Sequence, residues 1–231
     1  RVVAPNLRGY SPGARPLEPE LYTMDLLTAD VIGMADALGV DQFRVVGHDW
    51  GAATTWSLAM SHPDRVLSIV PVSGAHPQAV GAALAERAAE DDRPQDGRPS
   101  YIEVFAAEGA EEMFLANDAA FLRQILSGPW FTEEEVQNYV DHFNEPGAMT
   151  GALNWLRSGS RGVEIAPLTT PTMSVWSTGD VTLGRIGAEL SGDYVEGPYR
   201  VEALEGVSHW IPEEVPDELN ALLLEHLETY A

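Results

Sequence analysis

Val45-Val46-Gly47-His48-Asp49-Trp50-Gly51-Ala52-Ala53 is the stretch from which the rest of the chain can be read. Phe43 to Gly47 has the composition of a buried strand, and Ala52 to Ser61, which stops before Pro63, that of a helix. Only G-x-D-x-G lies between them, so strand must turn directly into helix. So tight a corner forces its central residue into an unfavourable backbone conformation. The residues two before and two after, Gly47 and Gly51, must be tiny for strand and helix to approach. Asp49 sits on the corner, facing the free N–H groups of the helix start, where negative charge is favoured.

Working outward, strand and helix signals alternate. Val66 to Ser73 (VLSIVPVS), Thr172 to Trp176 and Tyr199 to Leu204 read as strands. Leu27, Val31, Met34 and Leu38 recur at helical spacing, which predicts a helix over 21–38 capped by Gly39. A last helix is expected from Pro216 to Glu228, with Val215, Leu219, Leu222, Leu223 and Leu227 on its buried face. Arg1 to Pro5 (RVVAP) reads as a buried strand, followed by a turn-rich loop from Asn6 to Pro19. The alternation predicts an α/β fold: a mostly parallel sheet with helices on both faces. From His76 to Ile165 the pattern is helical, acidic and interrupted, with no clear strand. The expected organisation is therefore core over 1–75, an inserted helical lid over 76–165, and core again over 166–231. Glu90 to Pro99 (EDDRPQDGRP) reads as a charged, solvated loop, since it lacks the glycine spacing and final Glu of an EF-hand.

Composition narrows the partners. The chain has 231 residues, enough for a sizeable core, and a formal net charge of −23 with no lysine. Such a surface repels nucleic acid and anionic lipid, so neither is an expected partner. No apolar run is long enough to span a membrane. The absence of cysteine removes disulfides, thiolate nucleophiles and cysteine metal sites, and it fits a cytoplasmic protein. The sequence leaves oligomeric state open.

The corner has the geometry of a nucleophile elbow, with aspartate where serine would attack acyl groups. A carboxylate attacks an sp³ carbon instead, opening an epoxide or displacing a halide, and so becomes an alkyl ester. Releasing that ester takes a histidine to activate water, an acid to orient it, and donors for the oxyanion. The expected chain order is nucleophile, acid, histidine. Asp180, in Ser177-Thr178-Gly179-Asp180, and His209, in Gly206-Val207-Ser208-His209-Trp210, each follow a strand and complete the order Asp49, Asp180, His209. Among the other histidines, His48 braces the turn, His62 ends a helix, His142 lies in the lid, and His76 could border the pocket. No pair has metal-ligand spacing, so neither metal nor cofactor is expected, only water and a small apolar substrate.

These motifs resemble the α/β-hydrolase superfamily, in particular its aspartate-nucleophile branch of epoxide hydrolases and haloalkane dehalogenases. RVVAPNLRGYSPGARP (Arg1 to Pro16), VVGHDWGAA, HPDRV (His62 to Val66), ALNWLR (Ala152 to Arg157) and GVSHW carry the likeness across the chain. It is nearest to epoxide-hydrolase-like proteins of bacterial type. The resemblance implies an oxyanion donor in the Trp50 N–H and two lid tyrosines donating to the epoxide oxygen. Tyr101, in SYIEVF, matches one; Leu156 stands where the other falls, and leucine has no proton to give. Trp155 and Leu156, with Trp130, Phe131 and Phe143, would line an apolar pocket or simply pack the lid.

Two alternatives keep their place: a haloalkane dehalogenase using the same three residues, with the Trp50 indole holding the halide, and a non-catalytic binding protein of the same fold. A serine-type esterase would need Ser at position 49. The resemblance also implies three strands before Arg1, and a His-Gly-x-Pro loop supplying the second oxyanion N–H. The chain is thus expected to be part of a longer protein, poorly active by itself.

Overall fold

A computed structural model describes residues 1–90, 101–159 and 161–230. The chain forms two compact units, Arg1–Asp30 with Asp96–Gly162, and Val31–Gln95 with Val163–Ala231. This division does not follow the expected boundaries at 76 and 165. The first thirty residues cluster with the helical segment, and the helix after His76 clusters with the sheet.

The sheet unit contains β1 (Phe43–His48), β2 (Val66–Val72), β3 (Thr172–Ser177) and β4 (Tyr199–Leu204), all parallel and in that spatial order. Parallel strands are covered on both faces, and here each face has its own core. Ile69 points to one, with Trp56, Leu58 and Leu168; Val70 and Val72 point to the other, with Met173, Val175, Ile211 and Leu219. The α1 helix (Met24–Ala37) ends at Gly39, whose φ of +67° suits a left-handed cap. Next come α2 (Trp50–Ser61), which follows β1 without a loop, and α3 (Pro77–Glu90).

The ladder is uneven. β1 pairs with β2, and β3 with β4, along their lengths, whereas β2 and β3 share fewer bonds. Ile69 N–H donates to Pro171 O and Ser73 N–H to Val175 O, both at 2.9 Å. The N–H midway between them would belong to Pro71, which has none.

The helical unit contains α4 (Tyr101–Ala106), α5 (Ala110–Ile125), α6 (Glu133–Phe143) and α7 (Ala148–Ser158). α5 breaks at Asn117, Asp118 and Ala119, all at positive φ. α6 starts with a full capping box between Thr132 and Glu135. The turn-rich loop is tied to α7: Trp155 Nε1–H donates to Arg8 O (2.9 Å) and Asn154 Nδ2–H to Leu17 O (3.0 Å). Gly9 and Gly151 pass so close that a Cβ on either would lie within 2.7 Å of the other's backbone. Arg8 clamps Asp30 with two bonds of 2.7 Å.

Three expectations need correction or qualification. Arg1 to Pro5 is exposed and forms no strand; an apolar run becomes a strand only where another strand's backbone meets it, and none does among the described residues. Gly51 is not sterically required, since a Cβ there meets nothing within 4 Å. The charged stretch 90–99 lies, beyond the end of α3 at Glu90, outside the described residues. No helix of the described residues is long and apolar enough to cross a membrane.

Candidate active site

The sheet's parallel strands end together, and three of the four are followed by a predicted site residue. Asp49 comes directly after β1, Asp180 three residues after β3, and His209 five residues after β4. Asp49 takes φ +56° and ψ −117°, a strained corner for a residue with a side chain. The corner is held by backbone bonds: Asp49 N–H donates to Val72 O (3.0 Å), and Asp49 O accepts from Ala52 N–H (2.9 Å). Gly47 makes it possible, because a Cβ there would lie 2.2 Å from Gly51 O and 2.4 Å from Thr55 Oγ1. The carboxylate consequently stands at the N-terminus of α2.

His209 joins both acids. Its Nε2 is 3.2 Å from Asp49 Oδ2 and its Nδ1 is 2.9 Å from Asp180 Oδ2. The Asp180 side chain is fully buried, and that of His209 is 11% exposed. Burial would lower the His209 pKa, but hydrogen bonds and charge from Asp180 and Asp49 raise it to about 9. Burial likewise opposes ionisation of Asp180, yet the His209 bond, helped by Leu183 and Thr182, brings it down to about 2. Asp49 is held below the usual carboxylate range against burial, by His209 and the Trp50 N–H. Both acids therefore favour the protonated imidazole, and it in turn favours both carboxylates.

That ion cluster has a pH signature. The His209 pKa is raised on folding, so its contribution is complete below about 6.5 and is lost as pH rises through about 9. Asp180 has the opposite sign: its contribution is present above about 4 and lost as pH falls through about 2. Urea denaturation at pH 6 and pH 10 is expected to show a loss on the order of 2 kcal/mol at the higher pH. His209→Gln should reduce that difference; an equal difference in the variant would show that other groups cause it.

The loop carrying His209 is anchored at several points. His48 Nε2–H donates to His209 O (2.8 Å), and Ser73 Oγ–H reaches the same oxygen at 3.3 Å. His48 thus braces the base, and burial keeps its pKa low and the ring neutral. Ser177 Oγ–H donates to Ser208 O, and Gly206 N–H to Thr178 Oγ1, both at 2.8 Å. Gly179 lies so close that a Cβ would be 2.6 Å from Val207 O. Thr182, Ser73 and Ser177 were not picked out from the sequence: each is an ordinary loop hydroxyl whose partner is distant along the chain.

His76, Trp155, Tyr101 and Leu156 each have their own surroundings. His76 is a buried core residue, stacked on Tyr194 and edge-on to Trp56, with its pKa pushed down to about 4 by burial. Trp155 is 3% exposed and spends its indole N–H on Arg8, so it anchors a loop. Tyr101 opens α4, partly exposed and edge-on to Phe105, and Leu156 is half-buried on α7. Both belong to the helical unit, whereas Asp49, Asp180 and His209 belong to the sheet unit.

A parallel sheet with nucleophile, acid and histidine at the carboxyl ends of its strands, in that chain order, defines an α/β-hydrolase arrangement. Residues 1–216 match the alpha/beta hydrolase fold family, and the chain belongs to it. Within the family it is similar to epoxide hydrolases. It is 30% identical to epoxide hydrolase 4 of Mus musculus over 96% of this chain, and spans 64% of that protein's length. It is 29% identical to epoxide hydrolase A of Mycobacterium tuberculosis, covering 98% of this chain and 81% of the relative. The crystal structure of epoxide hydrolase A from Mycobacterium thermoresistibile superposes with a TM-score of 0.82 at 27% identity, covering 96% of this chain and 80% of that one.

Proposed function

We propose that the chain carries the catalytic residues of an epoxide hydrolase working through an ester on Asp49. The observation that carries this reading is His209 bridging the Asp49 and Asp180 carboxylates at 3.2 and 2.9 Å. Asp49 attacks an epoxide carbon, the carbon–oxygen bond of the ring breaks, and an alkoxide is left. The imidazolium already holds the one proton that the alkoxide needs, passed directly or through the Tyr101 phenol, whose role rests on resemblance. Once Asp49 is a neutral ester, His209 has lost one of the two anions that favoured its protonated form, so its pKa falls and the ring stays neutral and free to accept a proton. It then takes a proton from water, which attacks the ester carbonyl. The Trp50 N–H, which already supports the Asp49 carboxylate, stabilises the oxyanion. Collapse releases a diol and restores Asp49 and the imidazolium, so protons and charge balance over the cycle.

The test is a single turnover of styrene oxide by excess protein in H₂¹⁸O. Attack by Asp49 gives a diol free of label, because its new oxygen comes from the carboxylate, and ¹⁸O remains in the peptide containing Asp49. Label in the first diol formed would mean direct attack by water and would overturn the reading. Leu156, at a position where the family resemblance expects a phenol, is the specific reason to run a terminal haloalkane in parallel. A halide leaves without a proton donor, so turnover of the haloalkane alone would move the protein to the dehalogenase branch.

A further inference from the structure

Thr182 is placed to act on the base through two atoms at once. Its Oγ1 lies 2.7 Å from Asp180 Oδ1 and 2.8 Å from His209 Nδ1. Its backbone N–H also donates to Asp180 Oδ1 (2.7 Å), as does that of Leu183 (2.9 Å). A hydroxyl has one proton, and an ionised carboxylate can only accept. The Thr182 proton therefore goes to Asp180 Oδ1, and its lone pair faces His209. Nδ1 must then carry a proton, shared between Asp180 Oδ2 and Thr182 Oγ1. The three groups close a ring of hydrogen bonds in which each sets the direction of the next.

We infer that Thr182 is a positioning residue, holding the His209 ring with Nδ1 protonated and Nε2 aimed at Asp49. Turning the ring over would leave both Asp180 Oδ2 and Thr182 Oγ1 without a donor, so two acceptors oppose the flip rather than one. Oδ1, tied by three donors, cannot rotate into the place of Oδ2. Thr182 itself is solvent-exposed, so its role is not explained by packing. The inference rests on the proposed function for its kinetic consequence, but its geometry can be tested without any substrate.

The variants are Thr182→Val, which keeps the shape and removes the hydroxyl, and Thr182→Ser, which restores it. The first readout is the proton NMR signal of His209 Nδ1–H in the full chain. Exchange with water is expected to be about tenfold faster in the Val variant, the worth of one good hydrogen bond, and close to native in the Ser variant. The second readout is rapid-quench kinetics with styrene oxide: hydrolysis of the ester should slow about tenfold and its formation less, because the second step needs His209 aligned as a base, whereas the first takes from it only a proton. Unchanged Nδ1–H exchange in the Val variant would overturn the inference, whatever the substrate. Failure of Ser to rescue, or an equal fall of both steps, would also overturn it and leave Thr182 a structural residue. If the native protein turns over no epoxide while the NMR result holds, the proposed function fails and the positioning stands.

Discussion

His209→Gln is expected to stop the cycle halfway, leaving a stable ester on Asp49. Attack on carbon is made by the carboxylate, which remains in place on the strained corner after β1. Release needs a base at the position of Nε2, 3.2 Å from Asp49 in the native site, and glutamine amide is no base. Turnover should fall at least about 10³-fold, the scale of a lost general base, while one equivalent of substrate is consumed. Intact mass after exposure to styrene oxide should show one adduct per chain, absent in Asp49→Asn. Because the imidazolium proton is also gone, the adduct should form more slowly than the native ester, faster at lower pH. A folded His209→Gln protein that gains mass from neither styrene oxide nor a terminal haloalkane would remove Asp49 as the nucleophile. It would leave a non-catalytic binding protein as the better description.

The second large effect is on stability. Gly47→Ala places a methyl group 2.2 Å from Gly51 O and 2.4 Å from Thr55 Oγ1, and the first of these is backbone. Relief requires moving α2 away from β1, which disrupts the corner and the packing of Trp56 and Leu58 beneath it. A loss of about 3 kcal/mol in denaturant unfolding is expected, at the upper end for overpacking. Gly51→Ala is the matched control. It meets open space in the first turn of α2, and alanine suits a helix better, so it should be neutral or stabilising by about 0.5 kcal/mol. Equal losses in both would show that the close approach is not what glycine provides.

The contrast between those glycines marks how far the sequence could be read. G-x-D-x-G declares an elbow, but which flanking residue carries the steric burden depends on the tilt of helix against strand, which spacing does not encode. Asp180 and His209 were legible because strands are locally apolar runs, and a parallel sheet puts their following loops at one end. Thr182 and Ser73 were not, since nothing local distinguishes a hydroxyl that meets His209 from one that meets water. RVVAP misled for a related reason: hydrophobicity is a property of the segment, but pairing is a property of its neighbours. Trp155 and His76 invited functional readings, and each packs against groups distant in the chain, a backbone carbonyl bonded to the indole of one and two aromatic rings against the other.

Pro71 gives the sheet a seam. To one side, β1 and β2 carry the nucleophile; to the other, β3 and β4 carry the acid and the base, each pair zipped along its length. The missing N–H weakens the join between these halves at its midpoint. Asp180 and His209 travel together, so a shear along the join would change the reach from base to nucleophile while leaving base and acid in contact. The two bonds that His48 and Ser73 make to the His209 carbonyl cross that same join, one from the last residue of β1 and one from the residue after β2. Both tie the backbone of the base to the half that carries the nucleophile, through a histidine and a serine that take no part in the chemistry.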